Sequence, residues 1–98
     1  MFDINTTNKR YFSIRINEVI LEVEPPKIKA LKKIINLSKA KNEEAIDDLA
    51  EAVKLILSKN KSKYDIKQEL IEELDLDQLT QILTAYFEWL NGEKNSPN

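Results

Sequence analysis

The sequence predicts an α+β fold, mostly α, in which an N-terminal β-hairpin is followed by about four amphipathic helices. Three observations predict it. Apolar and polar residues alternate from Phe12 to Val23 with the period of two expected of half-buried strands. A Pro25-Pro26 pair then ends the alternation. From Ile28 to Leu90 the apolar residues recur at intervals of three and four, the period of helices with one buried face.

The hairpin spans residues 11–24. Phe12, Ile14 and Ile16 alternate with Ser13 and Arg15, and Val19, Leu21 and Val23 alternate with Ile20 and Glu22. A two-residue loop at Asn17-Glu18 pairs Ile16 with Val19, Ile14 with Leu21 and Phe12 with Val23, so all six share one face. On the other face, Arg15 and Glu22 become diagonal neighbours. Asn-Glu is a weaker turn than Asn-Gly because Glu tolerates positive φ poorly. Two strands alone are marginal in water, so the apolar face needs a helix lid or a strand from another copy.

Four helices are expected at about 26–40, 43–59, 65–73 and 76–91. Pro26 suits the first position of the first helix. Its apolar face is Ile28, Leu31, Ile34 or Ile35, and Ser38, with Lys27, Lys29, Lys32 and Lys33 opposite. The second helix starts at Asn42-Glu43-Glu44, with acids at the positive end of the helix dipole. It buries Ile46, Leu49, Ala50, Val53, Ile56 and Leu57, and Asn60 is its expected left-handed cap. Asp65 with Gln68, and Asp75 with Gln78, each carry the spacing of a capping box. The third helix presents Ile66, Leu70, Ile71 and Leu74. The fourth presents Leu79, Ile82, Leu83, Tyr86, Phe87 and Leu90, and Gly92 stops it. Residues 1–10 read as a flexible arm, with Phe2 and Ile4 as weak docking points. Residues 11–92 form one domain, and 93–98 a disordered tail.

Several chemistries are excluded by composition. The 98 residues contain no cysteine and no histidine, which removes disulfides, thiolate nucleophiles, Cys/His metal sites and the usual general base. The serines have no histidine to activate them. Adjacent acids such as Glu72-Glu73 point in different directions from a helix and do not converge. Asp75-Leu76-Asp77 opens like a calcium loop, but Thr80 and Tyr86 stand where that loop needs Gly and Glu. No phosphate-cradling glycine loop exists, since Gly92 is the only glycine. The residues thus indicate neither enzyme, cofactor nor metal. No apolar run approaches the roughly 20 residues of a membrane helix. A soluble protein without a secretory signal is expected.

The net charge of −2 conceals two opposed halves. Residues 1–41 carry nine Lys/Arg against four Asp/Glu, and residues 42–98 carry six against thirteen. One half can attract the other, within a molecule or between copies, so self-association is expected. Lys29, Lys32 and Lys33 read either as a solvated face whose stems cover apolar surface or as a docking surface for an acidic partner. Trp89 lies off the apolar stripe of its helix and is the best single candidate for a partner contact, with a packing role as the other reading. A helix-turn-helix arrangement is possible in outline, but the helices involved are acidic and would repel phosphate, so no nucleic-acid partner is expected.

One resemblance spans most of residues 12–98. The stretches LEVEPPKIKALKK (21–33), VKLILSKN (53–60), LDLDQLTQILTAYFEWL (74–90) and KNSPN (94–98), taken in this order, resemble the small tail assembly chaperones of long-tailed bacteriophages and prophages, in their short form. The resemblance implies a non-enzymatic chaperone that binds the tape measure protein and recruits major tail protein while the tail tube grows. It implies action in the host bacterial cytoplasm and absence from the mature virion. It supplies no catalytic or partner-binding residue to match position by position. The alternative is a small prophage-encoded interaction module, such as an antitoxin or an inhibitor of a host enzyme.

Overall fold

A computed structural model of the chain describes residues 1–4, 10–39 and 45–92. The elements are β1 (Phe12–Ile16), β2 (Val19–Val23), α1 (Ile28–Ser38), α2 (Ala45–Ser58), α3 (Gln68–Glu72) and α4 (Leu76–Asn91). This is the expected antiparallel hairpin followed by four helices. The helix start at Asn42, the tail 93–98 and part of the arm lie outside the described residues.

The hairpin has the register that alternation dictates, with Phe12 opposite Val23, Ile14 opposite Leu21 and Ile16 opposite Val19. Leu21 and Val23 are fully buried, while Ser13, Arg15, Ile20 and Glu22 face solvent. The turn places its positive φ of 55° on Asn17 and not on Glu18, which removes the difficulty raised by a glutamate in that loop. Glu22, the diagonal neighbour of Arg15, instead pairs with Lys61 at 3.8 Å.

Helix α2 is the centre of the molecule. Ala52, Val53, Ile56 and Leu57 are all buried, and α1, α3, α4 and β2 pack around it. Fully burying an aliphatic side chain of this kind contributes about 1.5–3 kcal/mol relative to exposure. The core closes with Ile34 from α1, Ile66 and Ile71 around α3, and Leu79, Leu83 and Tyr86 from α4.

Several local expectations are corrected. Helix α1 begins at Ile28 behind an N-cap at Lys27, so Pro26 precedes the helix and is not its first residue. Ile28 and Ile46 point to solvent, 67% and 53% exposed, and the first turn of α2 buries Ala45 instead. Each lies at the end of its helix, where a stripe with the right period finds no neighbour to cover it. Helix α3 is a single short stretch behind an N-cap at Lys67 that makes no side-chain capping bond. Asp65 is therefore not its cap, and its carboxylate accepts from Lys67 Nζ at 3.2 Å. Phe2 and Ile4 are exposed and do not dock.

The capping box at α4 forms as expected. Gln78 N–H donates to Asp75 Oδ1 at 2.8 Å, and Asp75 N–H donates to Gln78 Oε1 at 2.9 Å. At the other end of α4, Gly92 takes the left-handed conformation, φ 69°, that a Cβ would disfavour.

Asn60 departs most from expectation. It is not a left-handed cap; the positive φ beyond α2 falls on Lys63, at 58°. Asn60 is 4% exposed and bridges Val23 in antiparallel fashion. Glu24 N–H donates to Lys59 C=O and Lys61 N–H to Glu22 C=O, each at 2.8 Å. The segment after α2 thus covers the outer edge of β2, and among the described residues nothing pairs with that of β1.

Candidate docking surfaces

Helix α1 turns a cationic face to solvent. Lys27, Lys29, Lys32, Lys33 and Lys39 are all exposed, and no acid occurs between Lys27 and Lys39. Ile28, Lys32, Ile35 and Lys39 follow intervals of four, three and four, which sets them on one stripe. Ile35 is 37% exposed, so two isoleucines stand among the lysines. Beneath, Ile34 is buried and Leu37 packs on the core, holding α1 against α2. Among the described residues, Lys33 is the one α1 lysine with a carboxylate partner, Glu51 at 3.5 Å across the α1–α2 contact. Lys29, Lys32 and Lys33 are therefore brought together on one accessible face.

Trp89 sits elsewhere and is already engaged. Its ring centroid lies 5.8 Å from those of both Phe12 and Tyr86. The Arg10 guanidinium stacks 4.7 Å over the ring and donates to the Trp89 C=O. Trp89 is half-buried, so its packing reading describes most of its surface. Tyr86 lies beneath it, and burial pushes its hydroxyl up from 10.0 to about 12.

The structure adds two further surfaces. The first is a groove of about 420 Å³ between β1 and α4, with Ser13 and Arg15 on one wall and Gln78, Gln81 and Ala85 on the other. Glu22 and Glu24 direct backbone groups away from β1, so ladder alternation directs those of Ser13 and Arg15 outward into this open edge. Among the described residues nothing pairs with it.

The second is a cleft of about 200 Å³ lined by Tyr64, Asp65, Lys67, Glu69, Leu70 and Glu73. Tyr64 is 46% exposed and Leu70 half-buried, which gives an apolar floor with three carboxylates at the rim. The signal existed in the sequence: Asp65, Glu69 and Glu73 recur every four residues beside an aromatic that belongs to no apolar stripe. No histidine or cysteine exists to join these acids, and among the described residues no group of three potential ligands could hold a metal ion. No helix among them is long and apolar enough to cross a membrane.

Comparisons with family models, with curated proteins and with solved structures find no match to this chain.

Proposed function

We propose that this chain is a non-enzymatic tail assembly chaperone of a long-tailed bacteriophage or prophage, which binds the tape measure protein and recruits major tail protein subunits during tube growth. The observation that supports it best is the division of a small surface into three unlike docking features: the cationic α1 face, the acidic cleft at Tyr64–Glu73 and the open edge of β1. A protein that coats a long scaffold while holding a second partner needs several separate contact surfaces and no converging catalytic groups. The ordered stretches from LEVEPPKIKALKK to LDLDQLTQILTAYFEWL add the resemblance described above. In this role the protein acts in the host bacterial cytoplasm and is left out of the finished virion.

Co-expression with a tape measure protein encoded at the same locus, where one is found, tests the reading. Co-purification with that protein, from a locus that also encodes a tail tube subunit, is the expected result. A locus without tail genes, or a tight one-to-one complex with a toxin or a host enzyme, would replace it with the interaction-module reading.

A further inference from the structure

We infer that the outer face of α1 docks into the acidic cleft of a second copy. The two surfaces complement each other in charge, and each carries exposed apolar side chains. The α1 face carries five lysines and no acid, with Ile28 and Ile35 projecting between them. The cleft has Tyr64 and Leu70 as apolar walls, with Asp65, Glu69 and Glu73 around them and Lys67 already paired to Asp65. The cleft measures about 200 Å³.

A chain cannot easily satisfy both surfaces by itself. Helix α1 makes its main helix contact with α2, and α3 packs on α2 as well, so the two surfaces belong to different elements packed on one helix. Among the described residues, Glu51 is the one carboxylate partner on the α1 face; it engages Lys33 and leaves Lys29 and Lys32 to a neighbour. An apolar knob entering a cleft excludes water around it, which strengthens the charge pairs at the rim over their small value in open solvent. Because the two surfaces differ, the contact closes as a two-fold dimer where both are used reciprocally and extends to a ring or an open chain where each copy uses one.

Charge reversal tests this with the full-length chain. Sedimentation of the unaltered protein should show concentration-dependent association at low salt, which weakens as salt shortens the Debye length. Lys29→Glu with Lys32→Glu should weaken association by roughly tenfold or more, and so should Glu69→Lys with Glu73→Lys, because either change sets like charges face to face. Mixing these two double variants should restore association, since each then meets an oppositely charged surface. Ile28→Ser should also weaken it by about tenfold while leaving the circular dichroism unchanged, because Ile28 contributes no core contact. A monomer at millimolar concentration overturns the inference. So does association that ignores Lys29→Glu with Lys32→Glu, or a mixture of the two double variants that stays monomeric. The tail-assembly reading is tested separately, since binding to the tape measure protein is measured on different partners.

Discussion

Val23 and Asn60 face each other across an antiparallel bridge, and through that contact the hairpin is tied to the helical layer. Val23 is fully buried, and Asn60 is the buried polar side chain beside it. Asn60 Nδ2 donates to Leu57 C=O at 2.8 Å and to Tyr64 C=O at 3.0 Å. Its Oδ1 accepts from Tyr64 N–H at 2.7 Å and from Ser62 Oγ at 3.3 Å. One amide therefore satisfies the last turn of α2 and the returning loop while its backbone lies against β2. Lys59 and Lys61, on either side, pair with Glu24 and Glu22 at 3.3 and 3.8 Å. These flanking pairs are partly solvated and contribute little by comparison.

Asn60→Ala is expected to cost about 2–4 kcal/mol, because it leaves buried amide and carbonyl groups without partners. Asn60→Asp should be at least as harmful at neutral pH, since a carboxylate oxygen would then face two carbonyls. Burial raises the folded pKa of such a carboxyl, so the variant should regain stability as pH falls through the carboxylate range. Urea midpoints at two pH values check both statements.

Asp75 and Asp65 stand at the same spacing from a glutamine, yet only Asp75 caps a helix. Asp75→Ala should destabilise by about 1 kcal/mol. Asp65→Ala should change stability by less than about 0.5 kcal/mol, since its ion pair with Lys67 is exposed. Equal losses for the two variants in thermal unfolding would contradict the capping geometry.

Tyr86 gives the protein a stability limit in alkali. Its folded pKa, about 12, lies above the ordinary value of 10.0, so its contribution is complete below about pH 10 and is lost as pH rises towards 12. Within that window the slope is about 1.4 kcal/mol per pH unit for this one group. Tyr86→Phe keeps the ring against Phe12 and Trp89 and should show a flatter dependence of unfolding free energy on pH. Identical slopes for the two proteins would remove Tyr86 as the cause.

Leu57 and Ile46 share one apolar stripe of α2 by periodicity, and the structure separates them. Leu57→Ala removes a side chain with no exposed surface and should cost about 2–5 kcal/mol. Ile46→Ala should cost less than about 0.5 kcal/mol, as expected of a surface change without special contacts. Chemical denaturation of the two variants side by side makes the comparison.

Much of the fold was legible in local sequence. The hairpin register followed from alternation across Asn17-Glu18 alone, because a shift of one residue would expose Leu21 and Val23. The bounds of α4, Leu76–Asn91, followed from the Asp75 capping box and from Gly92. Lys29, Lys32 and Lys33 were legible as one face because α1 has a regular period. The acidic cleft was legible only in part: the spacing of Asp65, Glu69 and Glu73 stood in the sequence, but the start of α3 at Gln68, which leaves Tyr64–Lys67 as a non-helical wall, did not.

By itself, then, the sequence determined what depends on neighbours a few residues away: strand alternation, the turn, the helix periods, one capping box and the separation of charge into two halves. The tertiary structure alone decided which members of each stripe are covered, why Asn60 is buried, which strand edge stays open and where an acidic rim surrounds an apolar floor. Periodicity sets the direction in which a side chain points. Whether something lies there to receive it depends on elements brought together from elsewhere in the chain, as Val23 and Asn60 are.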